Sequence, residues 1–122
     1  MKGQTMNRYD FYKLAAEIAD WHTVTFPDAD EAGQQAKYDE ECKEYEESNG
    51  DIMELADCFI VASALAFRFD SVFGFEMLTR LIENNADELY DAIKAKMEIN
   101  RKRTWHKQQN GSYHHVDESG DK

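Results

Sequence analysis

Four acidic residues stand in mirrored positions about one turn. Glu41 and Glu44 precede Ser48-Asn49-Gly50-Asp51, and Glu54 and Asp57 follow it. The members of each pair are three apart, which places both carboxylates on one face of a helix. Glu44 and Glu54 are equidistant from Asn49, and so are Glu41 and Asp57. Gly50 suits a helix stop and Asp51 a helix N-cap. Two helices folding back antiparallel about Asn49 bring Glu44 level with Glu54 and Glu41 level with Asp57. Four converging anions repel and are costly to desolvate, so the arrangement makes sense around a cation. All the donors are oxygens, which selects magnesium, manganese or calcium over zinc or copper. A carboxylate-bridged di-iron site in a helical bundle adds Glu-x-x-His pairs, and no histidine follows these acids at that spacing. The Asp-rich loop of an EF-hand is absent from the sequence. Magnesium keeps several waters and is commonly shared with substrate phosphates.

A second constellation supplies a reason for such a metal. Lys96, Asn100 and Arg103 recur at i, i+4 and i+7, one stripe of a helix. Lysine offers a point charge, arginine a bidentate fork and asparagine a neutral donor, a set suited to phosphate oxygens. The bland alternatives stay open at this level. Either acidic pair alone reads as a solvated helix face. The basic stripe reads as cations complementing a helix dipole, and Lys37 with Glu41 as a simple i, i+4 ion pair.

These residues need elements to hold them. Asn7 caps a first helix with apolar positions at Tyr9, Phe11, Tyr12, Leu14, Ala15, Ile18 and Trp21, expected to stop near His22. Thr23-Val24-Thr25 is β-branched, and Pro27 disfavours helix at Phe26. A polar loop leads to a second helix, from about Gln34 to Ser48. A third runs from Asp51 to Phe69 and is the most apolar stretch of the chain. It is either central or partly covered by a second subunit. After a break at Asp70–Gly74, a short apolar helix ends at Asn84-Asn85. A last helix runs from about Asp87 to Arg103. The polar tail beyond Trp105 is either loose or a short turn around Asn110-Gly111. No stretch shows convincing strand alternation, so the fold class is all-α: a four-helix-bundle-like domain with one extra short helix. One domain spans 1–122, with 1–6 and 116–122 loose.

Composition bounds the reading. The chain has 122 residues and a net charge of −11, which argues against a nucleic-acid polymer or an anionic membrane as partner. The charge is segregated. Asp39–Asp57 holds nine acidic residues and one basic residue, whereas Lys94–Lys107 holds six basic residues and one acid. Cys42 and Cys58 form no metal-binding or disulfide framework and read as reduced packing residues. The longest apolar run, Cys58–Phe67, is too short to span a bilayer. With no basic-then-apolar leader either, the expected location is cytoplasmic, or host cytoplasm for a phage-encoded chain.

Glu40-Glu41-Cys42-Lys43-Glu44 followed by Glu54-Leu55-Ala56-Asp57 resembles the E-E-x-x-E … E-x-x-D signature of the MazG-like all-α nucleoside triphosphate pyrophosphohydrolases. Trp21, His22 and Phe26 resemble the aromatic end of that family's first helix and the loop after it. Lys96-x-x-x-Asn100-x-x-Arg103-x-Trp105, then Asn110-Gly111 and His114, resembles a segment of the phage and enterobacterial dATP/dGTP pyrophosphohydrolase branch. The match covers roughly Trp21 to His115. Two departures are visible: Asn110 stands where that branch tends to have Asp, and Ser71–Asn85 is longer than its usual connection.

The resemblance implies hydrolysis of a (deoxy)nucleoside triphosphate to a monophosphate and pyrophosphate. Glu41, Glu44, Glu54 and Asp57 would hold magnesium, with manganese as a substitute. Glu41 or Glu44 would also orient or deprotonate the attacking water. Lys96, Asn100 and Arg103 would contact phosphates, and Trp21, His22 and Phe26 would line the base or sugar pocket. Trp105 either packs under the tail or reaches the site. His114-His115 near Asp117 is a weak surface-metal candidate. The resemblance also implies a homodimer or homotetramer. The competing reading is a non-catalytic acidic helical protein that binds a partner or senses nucleotides.

Overall fold

The computed structural model describes residues 7–84, 87–109 and 111–116, which form five helices and a two-stranded hairpin. Helix α1 (Arg8–Thr25) begins with a reciprocal cap. The Asp10 N–H donates to Asn7 Oδ1 at 2.9 Å, and the Asn7 N–H donates to Asp10 Oδ2 at 3.1 Å. Such a cap contributes about 1 kcal/mol. The helix runs past His22, its expected end, through all three β-branched residues. Thr23 Oγ1 donates back to the Ala19 carbonyl at 3.0 Å, which uses its hydroxyl without breaking the turn. The stop falls at Phe26, where φ is −126° and ψ is 65°, as the following Pro27 requires.

Helix α2 (Glu31–Glu47) starts three residues before the expected Gln34, because the Asp30 carboxylate accepts from the Gly33 N–H at 2.7 Å and caps it. The reversal expected at Ser48–Asp51 is present. Asn49 and Gly50 both take left-handed backbone conformations, with φ of 65° and 94°. Asp51 then caps α3 (Ile52–Phe67) by accepting from the Met53 N–H at 3.0 Å. Helix α4 (Val72–Asn84) starts inside the stretch expected to be a break, since Ser71 Oγ accepts from the Gly74 N–H at 3.1 Å. Asn85, part of the expected stop of this helix, lies outside the described residues.

Helix α5 (Asp87–Asn100) ends three residues short of Arg103, and the chain then turns into a hairpin that the sequence reading missed. Strands β1 (Thr104–Lys107) and β2 (Tyr113–Val116) pair antiparallel, with Trp105 opposite His115 and Lys107 opposite Tyr113. Their connection is closed by the Gln108 N–H to the Ser112 carbonyl at 2.7 Å and the Gly111 N–H to the Gln108 carbonyl at 3.0 Å. Val116 therefore belongs to a strand rather than to a loose tail. Residues 1–6 and 117–122, Asp117 among them, lie outside the described residues, as does Asn110.

The core is built around α3. From Leu55 to Ala66 every residue except Asp57 is buried, and α1, α2, α4 and α5 all pack on it. Helices of this same chain cover most of it, so it is a central helix, with Phe67 at its end left exposed. Phe11, Ile18, Phe59, Leu65, Leu78, Leu89, Ile93 and Met97 have almost no exposed surface. Burying each contributes about 1.5–3 kcal/mol. Cys58 is buried and Cys42 half-buried, both as free thiols, and burial pushes the Cys58 thiol up. Among the described residues no helix is long and apolar enough to cross a membrane.

Candidate active site

The second and third helices meet at the tight turn, and their facing sides deliver the acids. One carboxylate oxygen each from Glu41, Glu44 and Glu54 falls within 4.8 Å of the others. Glu41 Oε2 is held by Lys37 Nζ at 3.2 Å, while Glu41 Oε1 and Glu54 Oε1 are buried with no hydrogen-bond partner. An unsatisfied buried carboxylate oxygen costs about 1–3 kcal/mol or more. Two of them, on carboxylates of the same cluster, mark a place built for something absent from the polypeptide. Burial pushes the Glu41 carboxyl above its ordinary range, against the lowering effect of Lys37, with Asp57 and Glu54 adding repulsion. Glu44 is raised by burial and then by Glu41.

Asp57 stands beside this trio rather than within it. Its Oδ2 is 3.3 Å from Lys96 Nζ on α5. Burial raises its carboxyl, and Lys96 and Arg103 pull it back down. The basic stripe is thus folded against the acids. Asn100 Oδ1 accepts from Arg103 Nη1 at 3.2 Å, and the Arg103 guanidinium lies 6.0 Å from the Trp105 ring. Arg103 sits beyond the end of α5, so the stripe is a helix end plus a turn, not one continuous helix face.

These groups line a cavity of about 360 Å³ that continues into an aromatic wall. Trp21, Phe26, Trp105 and Tyr113 form it: the Trp21 and Phe26 centroids are 5.3 Å apart, Phe26 and Trp105 5.2 Å, and Phe26 and Tyr113 4.4 Å. The first two are edge-to-face and the third is tilted; aromatic pairs add about 0.5–1.5 kcal/mol each beyond the area they bury. All ten candidate residues (Glu41, Glu44, Glu54, Asp57, Lys96, Asn100, Arg103, Trp21, His22 and Phe26) line this single cavity. Trp105 does both things that the sequence left open: it packs against His115 of the tail, with centroids 6.0 Å apart, and reaches the cavity.

His22 is buried and neutral. Burial, then the Arg68 guanidinium, lower its pKa from 6.5 to about 4. Arginine can only donate, so the contact of 2.8 Å between Arg68 Nη1 and His22 Nδ1 makes Nδ1 the acceptor. The proton is then on Nε2, which donates to Gln34 Oε1 at 2.9 Å. Gln34 Nε2 in turn donates to the Val61 carbonyl at 3.2 Å. Arg68 also donates to the Phe26 and Pro27 carbonyls at 2.9 and 3.3 Å, tying the α1–α2 loop to the end of α3.

Several lining residues escaped the sequence reading. Gln34 and Lys37 extend the Glu41–Glu44 stripe at helical spacing, a signal that was available. Tyr113, His114 and His115 arrive through the hairpin. His114 Nε2 is 2.9 Å from Glu40 Oε1, so it braces the hairpin on α2, and Glu40 is a neighbour of the acidic trio.

Residues 14–122 match the profile of the dATP/dGTP pyrophosphohydrolase family. A dATP/dGTP diphosphohydrolase of cyanophage S-2L is 34% identical over 106 residues, covering 85% of this chain and 86% of its own. A solved structure described as a cyanophage S-2L MazG-like pyrophosphohydrolase is 33% identical and covers 88% of this chain and 97% of its own, with a TM-score of 0.45. That protein is bound to dGDP and three catalytic Mn2+ ions per active site. The chain described here belongs to the dATP/dGTP pyrophosphohydrolase family. It is a nucleotide pyrophosphohydrolase of the MazG-like class that its acidic signature resembles.

Proposed function

We propose that the protein hydrolyses dATP and dGTP to the monophosphate and pyrophosphate in the cavity between α2, α3, α5 and the hairpin. The observation that carries this is the pair of buried, unpartnered oxygens, Glu41 Oε1 and Glu54 Oε1, at the foot of an aromatic-walled cavity. Glu41, Glu44, Glu54 and Asp57 hold divalent magnesium or manganese. When bound, the metal neutralises the triphosphate and acts as a Lewis acid at its oxygens.

The residues divide the remaining work. Lys96 and Arg103 take phosphate oxygens, and Asn100 fixes the Arg103 fork. Glu44 is the exposed member of the trio and its carboxyl is raised, so it suits the orientation of water and acceptance of its proton. Water oxygen bonds to the α-phosphorus, and the bond from that phosphorus to the bridging oxygen breaks. Pyrophosphate leaves with the bonding pair, and the proton passes through Glu44 to solvent. Trp21, His22, Phe26, Trp105 and Tyr113 enclose the base and sugar. The reaction takes place in the cytoplasm, where deoxynucleotides are. Phe67, Val72 and Phe73, exposed near the α3–α4 junction, supply an apolar surface for a homodimer or homotetramer.

The test is pyrophosphate release from dATP, dGTP, dCTP, dTTP and dUTP with magnesium or manganese, for wild type and Glu41→Gln. Release from the two purine substrates, lost by 10³-fold or more in the variant, is expected (the scale on which removal of an essential catalytic group acts). Release from no nucleotide overturns the reading.

A further inference from the structure

Among the described residues Gln34 is the one uncharged amide in the cavity wall besides Asn100, and its two ends are not equivalent. Its oxygen is committed. Arg68 makes His22 Nδ1 an acceptor, so His22 Nε2–H donates, and only Gln34 Oε1 can receive it. The amide nitrogen therefore faces the other way. One of its two hydrogens goes to the Val61 carbonyl at 3.2 Å. The second is a donor in a buried residue on the cavity wall. The relay fixes which chemistry this side chain offers: a hydrogen-bond donor and not an acceptor.

Its place along the helix matters too. Gln34 precedes Glu41 by seven residues on α2. That is about two turns, or roughly 10 Å along the axis, with Trp21 and Phe26 at the same end of the cavity as its partner His22. A nucleotide with its phosphates at the acids has its base at this end. Adenine and guanine differ in polarity at position 6 and at N1. The acceptors they share are the bare ring nitrogens N7 and N3.

Building on the proposed function, we propose that Gln34 is a specificity-determining residue. Its free amide N–H donates to a purine ring nitrogen, in an orientation set through His22 by Arg68. A single fixed donor accepts both purines, and when it is aimed at N7, an atom with no counterpart in a pyrimidine, it leaves a pyrimidine without its partner, which costs more than a merely looser fit.

The test is a cycle of substrate and side chain. Wild type and Gln34→Met are assayed with dGTP, 7-deaza-dGTP and 3-deaza-dGTP at saturating manganese. In wild type one of the two deaza substrates loses roughly tenfold to a hundredfold in kcat/KM. Gln34→Met lowers dGTP turnover to that same level and shows no further loss with that analogue. The inference is overturned if neither analogue loses turnover in wild type, or if the loss persists undiminished in Gln34→Met. A wild-type protein inactive on every nucleotide instead overturns the proposed function, so the two failures are distinct. Because each enzyme form serves as its own reference across substrates, a general loss of folding cannot imitate the result.

Discussion

Lys96 Nζ on α5 lies 3.3 Å from Asp57 Oδ2 on α3, so a residue proposed for phosphate already touches a residue proposed for metal. Both side chains are largely buried. Lys96→Met leaves Asp57 with only the weaker pull of Arg103, at a cost of about 1–3 kcal/mol in the metal-free protein. Manganese returns a cation to that carboxylate, so the loss in urea midpoint should shrink when the metal is added. Turnover of dGTP should fall about tenfold to a hundredfold, chiefly through KM. A stability loss unchanged by manganese would show that Asp57 takes no part in holding the ion.

Glu44→Gln should separate stability from activity. Burial and then Glu41 disfavour the Glu44 charge. Removing that charge relieves repulsion, which solvent screens in part at this exposed side chain, and the metal-free protein should gain slightly in Tm. The same change should reduce pyrophosphate release by roughly 10²-fold or more. Such a trade is expected where a site is strained for function. Thermal melts without metal and single-turnover assays with it give the two halves. A metal-free variant melting below wild type would contradict the repulsion argument.

Gly33→Ala should reverse the usual helix rule. Alanine in place of glycine inside a helix ordinarily stabilises by up to about 1 kcal/mol. Here a Cβ at Gly33 would stand 2.2 Å from the Gly111 carbonyl oxygen, a backbone atom. Gly111 has φ of 89° and sits in the hairpin connection, so the strands must shift away from α2. The variant should be less stable by about 1–3 kcal/mol. It should raise KM for dGTP and be cut faster in the hairpin by protease. A variant at least as stable as wild type would mean that the hairpin does not rest on α2.

Acid should weaken the protein through His22. Its pKa falls from 6.5 in the unfolded chain to about 4 when folded. The unfolded state thus binds the extra proton first. Stability from this residue is full above about pH 6.5 and declines as the pH falls to about 4, by about 3 kcal/mol in all. The raised carboxyls of Glu41, Glu44 and Asp57 act in the opposite sense. The useful comparison is therefore wild type against His22→Gln. The gap between their denaturation midpoints should be constant above pH 7 and narrow steadily toward pH 4. Parallel curves would remove His22 as the cause.

Much of this was legible in the residues. Asn7 and Asp51 cap the helices that their types suggested, and the turn at Asn49-Gly50 needed only the left-handed preference of those residues. The acids faced one another because period and turn were both readable. The boundaries that failed did so for local reasons. Thr23 satisfied itself within α1, Asp30 capped earlier than Gln34 implied, and Ser71 restarted a helix inside a presumed break. The hairpin was not legible because four-residue strands carry too little alternation to stand out. Its stability comes from long-range contacts, Phe26 with Tyr113 and Glu40 with His114, which no local pattern encodes. For the same reason the pairing of Asp57 with Lys96 from another helix was not legible, although Asp57 does stand near enough to Glu41 to raise its carboxyl, as the turn implied.

The reversal at Asn49-Gly50 also bears on the order in which the molecule comes into being. All four acids lie between Glu41 and Asp57, joined by one short loop, so their convergence costs little chain entropy. Lys96 and Arg103 are about forty residues further along and must arrive over a much longer closure. A nascent chain emerging from the ribosome can therefore gather its anions, with Lys37 beside them, well before Lys96 and Arg103 exist. During that interval a divalent cation adds to Lys37 in offsetting the repulsion between α2 and α3. The ion needed for hydrolysis would then also serve as a folding cofactor, and refolding should quicken in its presence.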